Sequence, residues 1–394
     1  MDILLSADQK RFKEECRIFA EKEIAPLAEK YGETDNIPGE LIRAMADAQL
    51  FRLLVPEELG GRGVKSMPIC LVREQLAGVY CPADVTFAMQ GLGSYPIVLA
   101  GNEEQKARFL PKLGSGEILT TYALTEPEAG SDVSSITSHA QETAGGFILN
   151  GLKRFISNGH AADIAVTFAK TPQPGNTKAL SAFVVEKRME GFSVQKRLKM
   201  IAPHDLVELK FENCFVPREN LLGNVGDGLK VALKTLDRFR VSVGAAALGI
   251  AQTAFDAAVD YAKKRVQFGR PIANFQGTQF KLADMATELD AARALVYRAA
   301  LLQDAKGENI TRAASMAKMY ATEAAFRIVD HSLQIHGGMG VMVGSTIERL
   351  YREIRALRIY EGTTEIQKLI IAKSLTERKQ GVEKHPVCRL FKNA

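Results

Sequence analysis

The sequence predicts a multi-domain α+β protein: an N-terminal helical domain, a middle antiparallel β domain (sandwich or barrel) and a C-terminal four-helix bundle. Apolar residues recur at helical spacing from Asp2 to about Ile118. Between about Glu117 and Val225 they alternate and turn residues become dense, and from Gly228 helical spacing returns. At roughly 100 to 200 residues per domain, the 394 residues suit boundaries at 1–118, 119–226 and 227–394.

Each element follows from local pattern. Ser6 to Gln9 has capping-box form, ahead of a stripe of Phe12, Cys16, Phe19 and Ala20. Leu41, Ile42, Met45 and Leu50 make a second stripe, and turns are expected at 56–63 and 81–84. In the middle region Val207, Leu209 and Phe211 alternate with Glu208, Lys210 and Glu212, a strand with one wet face. Further strands are expected at 147–151, 153–159, 164–168 and 180–185. Leu229 to Val266 contains no Pro and predicts one long helix. Helices near 274–305, 311–336 and 364–376 complete the bundle.

Composition narrows the function. With 46% hydrophobic and 25% charged residues the chain is globular in type. Its 51 Lys and Arg against 46 Asp and Glu leave a net charge of +5, interspersed along the chain. Nucleic acid is therefore not expected as a partner. Five widely spaced cysteines, Cys16, Cys70, Cys81, Cys214 and Cys388, read as free thiols in a reducing compartment. The N-terminus lacks a signal-peptide pattern, so a cytoplasmic location is expected. The longest apolar run, Val241 to Ala251, falls short of the ~20 residues of a membrane span. His331 and His336 do not share a helical face, and no metal site is expected.

Several segments carry chemistry-bearing residues. Tyr122 to Asp132 is rich in small and hydroxylic residues: a turn, or a cradle of backbone N–H groups for a ligand edge. In Lys153 to Gly159, strand alternation puts Phe155 and Ser157 on one face, an aromatic plane beside a hydroxyl; the competing arrangement is an edge strand packing its Phe inward. Arg265 to Arg270, with Gln276, is either a phosphate site or a basic helix end stopped by Gly269. Gln334 to Gly340 is glycine-rich but lacks the strand before and helix after that a Rossmann site needs. In Tyr360 to Gln367, Thr364 and Gln367 read as a capping box, leaving Glu361 in the loop before a helix. There it complements the helix dipole or serves as a desolvated general base.

In this order, these segments resemble the acyl-CoA dehydrogenase family across nearly the whole chain, to about Ser374. The resemblance implies FAD between the middle and C-terminal domains, and a homotetramer, built as a dimer of dimers, in which a neighbouring subunit completes the FAD site. It implies that Tyr122, Leu124 and Thr125 line the flavin ring, with Gly130 and Ser131 towards the pyrophosphate or CoA. Phe155 stands where many relatives have Trp, and Ser157 where many have Thr near the flavin N5. Arg265, Gln267, Phe268, Gln276, Gln334, Gly337 and Gly338 match positions that hold the ADP half across the dimer interface; Gln267 replaces a commoner Thr. Thr363 and Glu365 would approach the cofactor. Ser131, Asp237, Arg240 and Gly362 would meet the substrate.

Glu361 matches the family's catalytic base. Some relatives carry that carboxylate immediately before an Arg matching Arg240, where this chain has Phe239. The implied reaction is α,β-dehydrogenation of an acyl-CoA thioester to the trans-2-enoyl-CoA, with electrons passed to an electron-transferring flavoprotein. Enoyl-CoA reduction or an acyl-carrier-protein thioester would use the same scaffold. Flavin monooxygenases and oxidases resemble this family too, but generally lack a Glu in this setting, and a non-catalytic helical binding protein could retain the fold. Ala83 occupies the region where glutaryl-CoA enzymes place an Arg, which disfavours a free distal carboxylate. The loop from Lys199 to Val207 departs from the commonest family pattern.

Overall fold

The computed structural model describes residues 4–173, 175–176 and 179–376. Six helices form the first unit: α1 (Ala7–Phe19), α2 (Ala25–Tyr31), α3 (Gly39–Asp47), α4 (Ser66–Val79), α5 (Cys81–Ala100) and α6 (Glu103–Ser115). The capping box at Ser6 is present, with the hydroxyl accepting from Gln9 N and the Gln9 side chain returning to Ser6 N. Cys16, Ala20, Leu41, Met45 and Leu50 are buried in one core, with Phe12, Phe19 and Ile42 packed against it.

The middle unit holds β1 (Thr120–Ala123), β2 (His139–Glu142), β3 (Gly146–Ser157), β4 (Ile164–Lys170), β5 (Leu180–Glu186), β6 (Phe192–Arg197), β7 (Leu206–Pro217) and β8 (Leu221–Leu222). These strands form one curved sheet in the order β6-β7-β3-β2-β4-β5-β8, mostly antiparallel, with β1 paired parallel to β4. The two strands expected at 147–151 and 153–159 are one strand, β3, with register shifts against β7. Ile164, Val166 and Phe168 pack with Phe109, Leu110 and Val231 from helices. Ala165 and Ala169 pack instead with Phe147, Leu149 and Leu209 inside the curled sheet. β4 is thus wedged between two apolar layers, which is why it reads as a continuous apolar run.

The third unit begins with α7 (Gly228–Lys264), followed by a short hairpin of β9 (Val266–Gln267) and β10 (Arg270–Pro271). α8 (Gln276–Asp304), α9 (Ile310–His336), α10 (Thr346–Leu357) and α11 (Thr364–Thr376) follow. The four predicted helices are present. α10 was not expected, although Ser345 caps it at Glu348 N and Ile347, Leu350 and Ile354 bury one face. α7 is long and apolar enough to span a bilayer by length and composition, but 72% of its most apolar window is buried in the protein. α4 meets α7 at Gly78 and Gly249, where a Cβ on Gly249 would lie 2.0 Å from the Glu74 carbonyl oxygen. Buried Glu74 accepts from Lys13 and Tyr297, locking the first unit to the bundle.

Candidate active site

The site is assembled where β1, α4, α7, α9 and the loop between α10 and α11 meet. That loop turns sharply because Glu361 (φ 51°) and Gly362 (φ 92°) both adopt left-handed backbone. The expected capping box at Thr364 is not what forms. Thr363 caps the helix, its hydroxyl accepting from Ile366 N at 3.4 Å, while the Thr364 hydroxyl donates to Glu323 at 2.6 Å. Gln367 Nε2 instead reaches back to the carbonyls of Glu361 (3.3 Å) and Gly362 (2.9 Å). Lys318 Nζ, buried in α9, donates to the same Gly362 carbonyl at 2.8 Å. The backbone carrying Glu361 is therefore clamped from two helices.

Oε2 of Glu361 is inaccessible to solvent and has no hydrogen-bond partner among the described residues. Burial raises its pKa, opposed by the positive charges of Arg73, Lys318 and Arg240, while Asp84 adds to the rise. Arg73 is bound bidentate by Asp84 at 2.8 Å, and its Nη1 donates to Ser242 at 3.0 Å. Arg240 is buried; Nη1 donates to Asp237 at 2.5 Å, and its Nε has no partner among the described residues. Asp237 is further held by the Thr311 hydroxyl at 2.9 Å. Glu361, half-buried as a residue but with Oε2 shielded from solvent, thus sits in a cation-biased niche, an environment that tunes a carboxylate towards general-base work.

Tyr122 projects from β1 to the start of α7, where its hydroxyl donates to the Ala232 carbonyl at 3.3 Å. The charge of Glu361 adds to the burial that raises the Tyr122 pKa, which puts the two in one neighbourhood. Leu124 is buried, Thr125 is half-buried, and Gly130 and Ser131 lie exposed at the following turn. A buried ion pair holds this segment. Lys153 Nζ contacts Glu126 at 2.7 Å and the Leu124 carbonyl at 3.2 Å, and Glu126 also accepts from Ser138 N at 3.0 Å.

Phe155 lies at a bulge in β3, between Lys153 paired to Leu209 and Ile156 paired to Val207. It has φ 58° and is 57% exposed. The bulge sends Lys153 into the core, whereas Phe155 and Ser157 flank the inward-facing Ile156 on the more open side. Inward packing of Phe155 is thereby excluded.

Arg265, Gln267, Phe268 and Gln276 are exposed around the C-terminal end of α7, and Gln334, Gly337 and Gly338 are exposed at the end of α9. Tyr261 stacked on His336, ring centroids 4.4 Å apart, joins the two ends. Along α7, Ala232 and Arg265 are roughly 50 Å apart at 1.5 Å per residue. The expected site residues therefore form two groups at opposite ends of the bundle. Glu365 is exposed beside the half-buried Thr363, near the first group.

Arg73, Asp84 and Lys318 were not anticipated, and Gln367 was expected only as the partner of Thr364 in a capping box. Only Lys318 had a legible signal, a lone cation among Ala314, Ala317 and Ala321 on a stripe that is otherwise apolar. A cavity of about 350 Å³ lies elsewhere, between Tyr80, Pro203, Arg349 and Arg352.

The chain matches the family models described as acyl-CoA dehydrogenase N-terminal domain (residues 6–117), middle domain (121–214) and C-terminal domain (226–376). It is 45% identical over 374 residues to an acyl-CoA dehydrogenase of Bacillus subtilis, covering 94% of this chain and 98% of that one. The chain belongs to the acyl-CoA dehydrogenase family. It is also 42% identical to a 3-(aryl)acrylate reductase of Clostridium sporogenes, over 91% of this chain and 96% of that one. A chain in a solved structure of an Acidaminococcus fermentans electron transferring flavoprotein, described in the context of flavin-based electron bifurcation, superposes with a TM-score of 0.91. Its identity is 39%, covering 96% of this chain and all of that one. Members of the family are FAD-dependent oxidoreductases.

Proposed function

We propose that this chain dehydrogenates an acyl-CoA thioester between its α and β carbons, and that Glu361 takes the α-proton. The observation that carries this reading is the buried, unpartnered Oε2 of Glu361 in a niche biased by Arg73, Lys318 and Arg240. Burial raises the basicity of the carboxylate, and the surrounding cations oppose that rise. The clamp on Gly362 from Lys318 and Gln367 holds the backbone that carries the carboxylate. Asp237, Arg240, Gly362 and Ser131 would contact the substrate.

The residues present fit FAD. An exposed aromatic ring, Phe155, lies close to the Ser157 hydroxyl in a segment held rigid by the Glu126–Lys153 pair, which suits a flat heterocycle. Arg265, Gln267, Gln276 and Gln334 offer a guanidinium and amide donors, beside Gly337 and Gly338 whose Cα faces open space, which suits a pyrophosphate. FAD, when bound, supplies the acceptor for the β-hydride. Tyr122, Leu124, Thr125, Phe155, Ser157, Thr363 and Glu365 would hold the ring end, with Gly130 and Ser131 towards the pyrophosphate or CoA; Phe268 joins the second group at the nucleotide end. One extended cofactor cannot bridge two groups some 50 Å apart along α7, so the second group serves a neighbouring subunit. That supports a homo-oligomer, read here as a dimer of dimers. Electrons would leave to an electron-transferring flavoprotein, and free Cys16, Cys70, Cys81 and Cys214 suit a reducing, cytoplasmic compartment. Cys388 lies outside the described residues.

A second reading, reduction of an enoyl-CoA, is favoured by the likeness to the 3-(aryl)acrylate reductase; Glu361 would then return a proton to the α carbon. The test is anaerobic bleaching of the bound flavin by a panel of acyl-CoA esters, compared between wild type and Glu361→Gln. Glutamine keeps the shape and backbone but cannot accept the proton. Bleaching should fall by about 10² to 10⁴-fold, and a loss of only a few-fold removes Glu361 as the base.

A further inference from the structure

The divergent Lys199 to Val207 loop presses a histidine against the residue expected beside the flavin. His204 is 8% exposed, and its Nε2 lies 3.1 Å from Ser157 Oγ. The loop is pinned on three sides. Arg352 Nη1 donates to the Ile201 carbonyl at 2.7 Å, Asn158 N donates to the Asp205 carbonyl at 2.7 Å, and the Asp205 carboxylate accepts from Ala161 N at 3.0 Å. The Ser157 carbonyl is held in turn by the Thr121 hydroxyl at 2.6 Å. Neither partner can turn away without breaking buried hydrogen bonds.

The roles of the two groups in this contact depend on the tautomer of the ring. Burial lowers the His204 pKa, which favours the neutral imidazole, a ring with one N–H and one bare nitrogen. In the tautomer with the N–H on Nδ1, the Nε2 that faces Ser157 is a bare acceptor. The Ser157 hydroxyl must then spend its hydrogen on His204.

We propose that His204 is a positioning residue that draws the Ser157 hydroxyl hydrogen to itself, so that Ser157 Oγ meets the bound flavin as a hydrogen-bond acceptor. A reduced isoalloxazine carries a ring N–H where the oxidised ring has a bare nitrogen. An acceptor oxygen satisfies the first and cannot satisfy the second, so His204 raises the reduction potential of the bound FAD. This rests on the reading that Ser157 faces the flavin. Without His204, the hydroxyl turns and donates to the oxidised ring.

Two measurements test it. In the full-length apoprotein with ¹⁵N-labelled histidine, the His204 resonance, assigned by its loss in His204→Phe, should show a protonated Nδ1 and an unprotonated Nε2; the reverse tautomer overturns the proposal. In the FAD-loaded protein, spectroelectrochemical titration of wild type, His204→Phe, Ser157→Ala and the double variant should give a lower midpoint potential for each single variant. The double variant should fall no further than Ser157→Ala. A His204→Phe potential equal to wild type, or an equal drop in the Ser157→Ala background, overturns the proposal. If His204→Phe does not fold, the tautomer measurement on the wild-type chain, assigned by Ser157→Ala perturbation, still decides it. A chain that binds FAD in no variant sinks the functional reading; one that binds FAD but ignores His204 sinks this inference alone.

Discussion

Lys318, on the buried face of α9, donates from Nζ to the carbonyl of Gly362 at 2.8 Å, tying the interior of the bundle to the residue that follows the candidate base. Burial lowers the Lys318 pKa to about 8, and the charge of Glu361 counters that fall. In Lys318→Met a cation near Glu361 is lost, so the Glu361 pKa rises. The active form is the carboxylate, whose activity is present above its pKa and lost as pH falls through it. The acid limb of the flavin-reduction rate should therefore move to higher pH in Lys318→Met. Above about pH 8, where wild-type Lys318 is itself neutral, the electrostatic difference should vanish and leave only a pH-independent loss from the missing bond to Gly362; stopped-flow reduction across pH checks both features.

The Glu126–Lys153 pair is buried on both sides. Although burial pushes it up, Glu126 is drawn down to about 2, first by the Lys153 charge and then by hydrogen bonds from Lys153, Ser138 and Thr137. A carboxyl whose folded pKa is depressed adds stability above its unfolded value that is lost as pH falls through the folded one. This contribution is complete above about pH 4.5 and disappears towards pH 2. Glu126→Gln strands a buried ammonium and should cost about 3 to 5 kcal/mol in urea unfolding, with much of it recovered in Glu126→Gln/Lys153→Met.

Arg265→Ala should loosen FAD and weaken the oligomer together, because on the proposed reading the charge-assisted bonds of that guanidinium would reach a neighbour's cofactor. They are worth about 1.5 to 3 kcal/mol. Flavin retention on gel filtration, with light scattering on the same run, measures both at once. If both are unchanged, the division of the site between subunits is wrong.

Phe155 holds a left-handed backbone that costs a non-glycine residue about 1 to 2 kcal/mol, and its ring is 57% exposed. Phe155→Gly removes the strain and little buried area, so the apoprotein should melt no lower than wild type. FAD should nevertheless dissociate faster, because the aromatic plane is gone. An apoprotein that melts well below wild type would mean that the ring is a core residue.

Much of the architecture was legible because it rests on local periodicity. The residues of α7, α8, α9 and α11 lie within a few positions of the expected helices, and the alternation of Val207, Leu209 and Phe211 marked β7. α10 escaped because its capping serine follows a glycine-rich stretch that reads as loop. The capping box expected at Thr364 failed for a tertiary reason. Glu323, from α9, takes the Thr364 hydroxyl, which leaves Gln367 free to brace the carbonyls of Glu361 and Gly362.

By itself the sequence determined the order of helical, β and helical units, the candidacy of Glu361 and the residues to inspect around it, because periodicity, turn chemistry and motif order are properties of neighbouring residues. It left open whether Phe155 packs inward and whether Glu361 merely caps a helix. Only the tertiary structure decided these. A bulge in β3 rotates the strand so that Lys153 turns in and Phe155 turns out, and residues from α4, α7 and α9 converge on a carboxylate whose Oε2 they leave unpaired. Desolvation and the Coulomb field at a carboxylate are set by atoms distant in sequence, and only folding brings Arg73, Arg240 and Lys318 within range of Glu361.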